Sequence, residues 1–135
     1  MNNKELTYLD YNASAPVRPQ VCDAMSEALR ETGNPSSVHS AGRRAYNRLT
    51  EARRQVASLA GALPEQVIFT SGGTEANFLA IKGAVVASRA TQNPAGHILV
   101  GASEHPSILA AVEETGLAFD VIPVDENGGI KLQSL

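Results

Sequence analysis

The stretch FTSGGTEAN, residues 69–77, decides how this sequence is interpreted, because an apolar run stops there on two glycines before a helical pattern begins. A helix start exposes unpaired backbone N–H groups and partial positive charge, so it can bind an anion. Gly72 and Gly73 would let a ligand approach the backbone closely, and Thr74 could donate a hydroxyl hydrogen bond. Glu75 would repel a phosphate unless its side chain points away. A plain tight turn with Thr74 as the helix cap is the alternative.

Two common nucleotide-binding motifs are not met by this stretch. It lacks the lysine of GxxxxGK[ST], and its glycines do not have the spacing of G-x-G-x-x-G. The sequence therefore predicts neither a P-loop nor a Rossmann dinucleotide site.

Strands and helices alternate around the turn, and this order predicts an α/β fold. The expected strands are VIFT (67–70), HILVG (97–101) and LAFDVIPV (117–124), and the expected helices cover about 74–90 and 106–115. We expect a mostly parallel sheet flanked by helices. The predicted packing face of the first of these helices consists of small apolar residues: Ala76, Leu79, Ala80, Gly83 and Ala84.

The N-terminal part predicts an amphipathic helix that starts near Pro16 and Pro19 and runs to about Thr32. Gly33 is expected at its C′ position. Cys22 lies within this helix, so we expect it to be a packing residue rather than a nucleophile. It is the only cysteine, which leaves no disulfide framework and fits a reducing compartment.

A second long helix is expected over about 41–60, with Ser40 as a plausible cap and Gly61 as its stop. The chain then divides into a helical N-terminal arm, about 1–62, and an α/β part, about 63–135.

Composition limits the possible partners. The 135 residues are 43% hydrophobic and 19% charged with a net charge of −3, as in an ordinary soluble globular protein. We expect no nucleic-acid or membrane partner, because either would need a concentrated basic face or about 20 consecutive apolar residues. The N-terminus has no apolar signal segment, so a cytoplasmic protein is expected. One arginine cluster is expected to be solvated or subunit-facing: Arg43, Arg44, Arg48, Arg53 and Arg54.

A second candidate for chemistry is SEHPSIL, residues 103–109, which follows a predicted strand. Ligands of open α/β sheets bind at the carboxyl ends of the strands. His105 there could stack on a flat cofactor, bind a metal or move protons, or it could simply cap the next helix. We expect no metal site, because His39 and His97 show no ligand spacing with it.

Four motifs in register resemble one family: YLDYNASAPVRPQV (8–21), GNPSSVHSAGRRA (33–45), FTSGGTEAN and SEHPSIL. Over nearly its whole length, the chain is similar to the N-terminal part of cysteine desulfurases of the NifS/IscS type. These are class V aminotransferase-like, fold-type I enzymes that use pyridoxal 5′-phosphate. The resemblance therefore implies a partial fold-type I large domain with this cofactor.

The resemblance also implies roles for individual residues. Gly73 and Thr74 match the turn that holds the cofactor's phosphate, and His105 matches the catalytic histidine that stacks on the pyridine ring and assists proton transfer. Asn12 and Ala13 match a segment on the substrate side of the pocket. His39 matches a loop near the active site and the dimer interface, again on the substrate side.

The implied reaction removes sulfur from L-cysteine, leaving alanine and an enzyme persulfide. That sulfur would feed iron–sulfur cluster or thio-cofactor assembly, with a homodimeric enzyme passing it to a scaffold or other acceptor protein. In the family, the Schiff-base lysine, the aspartate on the pyridine nitrogen and the persulfide cysteine lie beyond residue 135. None of the chain's residues Lys4, Lys82, Lys131 and Cys22 matches those motifs.

We therefore expect an N-terminal fragment that is inactive alone, aggregation-prone and at best a weak binder of the cofactor. Two alternatives stay open. The chain could come from another class V aminotransferase-like enzyme, such as a selenocysteine lyase. It could instead be a non-catalytic remnant or an interaction module.

Overall fold

The computed structural model describes residues 7–131 and residue 133. Contacts between Cα atoms divide the chain into two compact units, Met1–Val67 (the first unit) and Ile68–Leu135 (the second unit). The predicted division of the sequence near residue 62 concerns the arm and the large domain of a complete enzyme, and it stays a prediction.

The first unit contains the two predicted helices, α1 (Pro19–Arg30) and α2 (Ser40–Ala60), followed by the 3₁₀ turn Pro64–Gln66. Proline occupies the first turn of α1, where its missing N–H removes no helical hydrogen bond. No residue of α1 is buried. Cys22 is therefore exposed, and the expectation that it packs in a core is wrong for this chain.

Gly33 does not end α1, contrary to the sequence prediction. The helix ends at Arg30, because Glu31 has an extended backbone with φ −82° and ψ 132°. Gly33 is not among the glycines with positive φ. A Cβ at this position would lie 2.5 Å from the backbone oxygen of Ala41, so glycine is needed for a close approach between two backbone segments.

The start of α2 also differs from the prediction, whereas its end agrees. His39 rather than Ser40 is the N-cap, and its Nδ1 accepts a hydrogen bond from the Gly42 amide at 3.3 Å. An imidazole acceptor there satisfies one of the unpaired amides of the first turn. Gly61 closes the helix in the left-handed conformation at φ 64°, as predicted.

The second unit is an α/β fragment in which α3 (Gly73–Ser88), β1 (His97–Gly101), α4 (Pro106–Glu113) and β2 (Ala118–Ile122) follow one another. The two strands are parallel, with Val100 opposite Val121. Pro106 lies in the first turn of α4, and the turn after α4 ends at Gly116, which has φ 70°. These observations confirm the α/β class, the parallel pairing and the two downstream strands.

The predicted strand VIFT does not form. Residues 67–70 have no strand assignment, and the described part of the chain forms one sheet of two strands, β1 and β2. Ile68 is 68% exposed and Phe69 46% exposed. A strand exists only through a ladder of hydrogen bonds to a neighbouring strand, and among the described residues only β1 and β2 form such a ladder.

The core of the second unit consists of Val85, Val100, Ala111 and Val112, with the buried Ser107 beside them. The predicted inward face of α3 is wrong, because Leu79, Ala80, Gly83 and Ala84 are exposed. The helix turns a neighbouring stripe inward instead, on which Asn77, Ile81 and Ser88 are half-buried and Val85 is buried. Because α3 is apolar on most sides, periodicity alone does not identify the face that packs.

Candidate functional site

The turn between residue 70 and α3 resolves the conflict that Glu75 posed in the sequence. Its carboxylate accepts hydrogen bonds from the Ser71 hydroxyl at 2.6 Å and from the Ser71 amide at 2.7 Å. These bonds, the hydroxyl first, lower the pKa of Glu75 below its ordinary value. The side chain is thus bonded to the residue before the glycines and stabilises the helix start from that side.

Glu75 leaves the helix start itself uncapped. Gly72 is the N-cap residue and no side chain caps the helix. The Gly72 carbonyl accepts the first backbone hydrogen bond of the helix, from the Ala76 amide at 3.1 Å. Within the described residues, the amides of Gly73 and Thr74 and the Thr74 hydroxyl make no hydrogen bond. The alternative in which Thr74 caps the helix is therefore wrong.

Space is available in front of these amides. A Cβ placed on Gly72 or Gly73 would meet no atom within 4 Å. The backbone of Gly72 is extended, with φ 173°, so its conformation does not itself require glycine. Unpaired amides, a free hydroxyl, an open approach and the positive end of α3 together fit a phosphate group.

His105 lies at the start of α4, directly after the turn that follows β1. Its ring Nδ1 accepts a hydrogen bond from the Ser107 amide at 3.2 Å, so the histidine is the N-cap of this helix. The side-chain cap that the sequence left open as an alternative is thus present. It occupies only Nδ1, and Nε2 makes no hydrogen bond within the described residues.

Two residues that the sequence analysis did not select connect this histidine to α3. Ser107 is 7% exposed, and its Oγ lies 2.8 Å from His105 Nδ1 and 2.8 Å from Asn77 Nδ2. The first turns of α3 and α4 are therefore joined by a polar chain that ends on the imidazole. A sequence signal existed for Ser107, because serine two residues after a helix cap often bonds back to it. Asn77 gave a weaker signal, because it is one of several polar residues in α3.

The remaining predicted site residues lie in the first unit. Asn12 and Ala13 belong to an exposed turn in which the Ala13 amide donates to the Asp10 backbone oxygen at 3.2 Å. His39 is exposed and caps α2. Gly73, Thr74 and His105 lie together in the second unit, so the glycine turn and the histidine belong to one compact body.

The described residues contain neither a cluster of metal ligands nor a helix that could span a membrane. Among residues 7–131 and 133, no group of three histidine, cysteine or acidic side chains is placed to hold a metal ion. His97 forms an ion-pair contact of 2.9 Å with Asp120 across β1 and β2 and is not near a third ligand of this kind. Within the same residues, no helix combines the length and apolarity that crossing a bilayer requires.

The family model for aminotransferase class-V matches residues 7–135. The chain belongs to the class-V aminotransferase family. This confirms the family that the four motifs predicted, and the matched residues include both the glycine turn and His105.

The relatives are cysteine desulfurases. The chain is 40% identical over 129 residues to the cysteine desulfurase IscS of Dictyoglomus turgidum, covering 93% of this chain and 32% of that protein. It is 44% identical over 122 residues to a cysteine desulfurase of Frankia sp., covering 89% and 28%. The solved structure of a NifS-like protein is similar with a TM-score of 0.81 and 29% identity, covering 93% of this chain and 35% of the other.

The chain spans about a third of the length of the curated relatives that it matches. The similarity therefore establishes the family and the fold of this segment. The activity of a complete enzyme is a separate question.

Proposed function

We propose that this chain is the N-terminal, phosphate-binding portion of a pyridoxal 5′-phosphate-dependent cysteine desulfurase. The complete enzyme would convert L-cysteine to L-alanine and transfer the sulfur through an enzyme persulfide. Cysteine desulfurases at 40% and 44% identity support this proposal. The single observation that carries it is the start of α3, which no side chain caps and where the first-turn acid, Glu75, is bonded to Ser71.

The chain's own residues would bind and orient the cofactor. The amides of Gly73 and Thr74, with the Thr74 hydroxyl, would donate hydrogen bonds to its phosphate oxygens. His105 would pack against its ring from the neighbouring helix start. The cofactor, when bound, supplies an aromatic ring that accepts electrons from the substrate's bonds.

His105 would also assist proton transfer at the substrate. Asn12, Ala13 and His39 would lie on the substrate side of the pocket. The Schiff-base lysine, the aspartate on the pyridine nitrogen and the persulfide cysteine would come from outside these 135 residues. We accordingly expect the chain alone to be inactive.

The partners proposed for the complete enzyme follow from the resemblance. It would act as a homodimer in the cytoplasm and pass sulfur to an iron–sulfur scaffold or another acceptor protein. Neither a nucleic acid nor a membrane is expected as a partner.

Phosphate binding can be tested on the 135-residue chain. With ¹⁵N-labelled protein, pyridoxal 5′-phosphate should shift the amide signals of residues 72–75 more than any others. Thr74→Val should weaken its binding about tenfold, because one hydrogen bond to a charged group is lost. Thr91→Val is the matched control, since that hydroxyl bonds to the Ser88 carbonyl at the opposite end of the helix.

A stronger test places an acid in the proposed cradle. Gly73→Glu should abolish binding, because a carboxylate would face the phosphate. Equal binding by the parent chain and by Gly73→Glu would refute the phosphate site.

The activity requires a complete enzyme. In a chimera, these 135 residues would replace the matching segment of the Dictyoglomus turgidum relative. With a dithiol reductant present to reduce the enzyme persulfide, we expect the chimera to release alanine and sulfide from L-cysteine in equal amounts, and the isolated chain to release neither. A chimera that binds the cofactor and consumes selenocysteine but not cysteine would favour the selenocysteine lyase alternative.

A further inference from the structure

The hydrogen bonds around His105 determine where its ring carries a proton. The Ser107 amide, 3.2 Å from Nδ1, is always a donor, so Nδ1 must be an acceptor without a hydrogen. The Ser107 hydroxyl, 2.8 Å from the same nitrogen, must then also donate to it. Nδ1 thus receives two donors, and the proton of the neutral ring lies on Nε2.

Asn77 completes this assignment. The single hydrogen of the Ser107 hydroxyl is used at Nδ1, so its oxygen can only accept from a further partner. Asn77 must therefore present its amide Nδ2, at 2.8 Å, rather than its carbonyl oxygen. One direction of donation, from Asn77 through Ser107 to His105, satisfies every group in the chain of bonds.

Burial makes this arrangement specific. Ser107 is 7% exposed, and no buried side-chain polar atom among the described residues lacks a partner. Water therefore has little access to the hydroxyl, and reversing its direction would leave a polar group unpaired, which is costly in a low dielectric. The histidine itself is exposed, so its Nε2 can meet a ligand.

We propose that Asn77 and Ser107 are positioning residues that hold His105 as its Nε2–H tautomer, with Nε2–H as the hydrogen-bond donor that faces the bound ligand. They act through His105 rather than on the reacting atoms. The positioning is a property of the chain itself, whereas its use in catalysis rests on the function proposed above.

The tautomer can be measured without cofactor or turnover. In the ¹⁵N-histidine-labelled chain, two-dimensional spectra of the ring nitrogens should show His105 Nδ1 in the unprotonated range and Nε2 in the protonated range. His39 and His97 provide signals from other environments in the same spectrum.

Asn77→Asp is the sharpest variant, because it keeps the size of the side chain and replaces a donor with an acceptor. The Ser107 hydroxyl would then turn toward the carboxylate and release Nδ1. We expect the ratio of Nε2–H to Nδ1–H tautomers at His105 to fall about five- to tenfold, as for the loss of one hydrogen bond. His97, in β1 of the same unit, should be unchanged and reports that the unit is folded.

Ser107→Ala also removes the hydroxyl donor at His105 Nδ1, by deleting a single oxygen atom. It should lower the tautomer ratio by a similar factor, and Ser107→Thr should restore it. If one variant unfolds the second unit, the other decides. Ser88→Ala is the control. Ser88 lies in α3, the helix of Asn77, and its hydroxyl donates to the Val85 carbonyl and does not contact His105.

An unchanged His105 tautomer in folded Asn77→Asp or Ser107→Ala would overturn the proposal. A parent chain in which His105 carries its proton on Nδ1 would overturn it as well. The catalytic consequence is measured in the holoenzyme chimera, where Asn77→Asp should lower kcat for L-cysteine about tenfold and leave KM nearly unchanged. If the variants change the His105 tautomer but residues 72–75 do not bind the phosphate, the positioning role of Asn77 and Ser107 stands and the proposed function is rejected.

Discussion

The two units of this chain are held together by different means. The first unit has two helices whose close contacts depend on glycine and on an ion-pair cluster, and Ala57 is its only hydrophobic core residue among those described. The second unit buries Val85, Val100, Ala111 and Val112 between two helices and a parallel strand pair. The glycine turn before α3 and His105 therefore belong to the unit that has a hydrophobic core of its own.

Gly42→Ala should produce the largest effect, and it acts on the first unit. A Cβ at Gly42 would lie 2.1 Å from the Ser37 backbone oxygen, and backbone cannot move aside as a side chain can. We expect α2 to lose about 3 kcal/mol of local stability, measured by hydrogen exchange of its amides. Gly83→Ala is the matched control in α3, where a Cβ meets nothing within 4 Å, and it should stabilise by about 1 kcal/mol. A destabilising Gly83→Ala would contradict the open surface assigned to this side of α3.

Val112→Ala should produce the next largest effect, confined to the second unit. Val112 is 2% exposed, so the truncated side chain leaves a cavity that costs about 2 kcal/mol. Hydrogen-exchange protection of α4 should fall about thirtyfold, with α1 unaffected. Val86→Ala, at a position of the same unit that is 63% exposed, should change little. Equal losses in the two variants would show that the second unit has no core of its own.

Arg48→Gln should have a smaller, salt-dependent effect on the first unit. Arg48 of α2 contacts Glu31 and Glu27 at the end of α1, and its Nη2 lies 3.0 Å from Glu27 Oε1. The hydrogen bond to Glu31 is the largest cause, and the one to Glu27 the next, of a raised pKa of Arg48. These three side chains are exposed, so their ion pairs contribute little to the stability of the first unit, and this contribution should vanish at high ionic strength. We expect a small loss of α1 protection in low salt. Arg54→Gln, whose partner Glu51 lies in the same helix, should not affect α1.

The smallest expected effect is the pH dependence of the helix start. Because hydrogen bonds lower the pKa of Glu75 in the folded chain, its contribution is complete above the ordinary value near 4.5 and is lost as the pH falls through the lower folded value. Protection of the Ser71 amide should follow this window. In Glu75→Gln the dependence should disappear, and its persistence would assign it to another group.

Much of the fold was predictable because it depends on local rules. Gly61 stops α2 in a left-handed conformation, Pro106 begins α4, and the β-branched run of β1 forms a strand. The segment 67–70 has the composition of a strand but is not part of the sheet that the described residues form, so composition alone misassigned it. The face of α3 was also misassigned, because a helix with several apolar sides packs on whichever side a partner covers.

The candidate site divides in the same way. The sequence by itself determined the glycine turn, the helix that follows it and the histidine after β1, because each depends on residues adjacent in the chain. Only the tertiary structure decided that Asn77 meets Ser107 from 30 residues away. The physical reason is that hydrogen-bond direction and burial depend on which helix starts are brought together, and packing rather than local sequence brings them together.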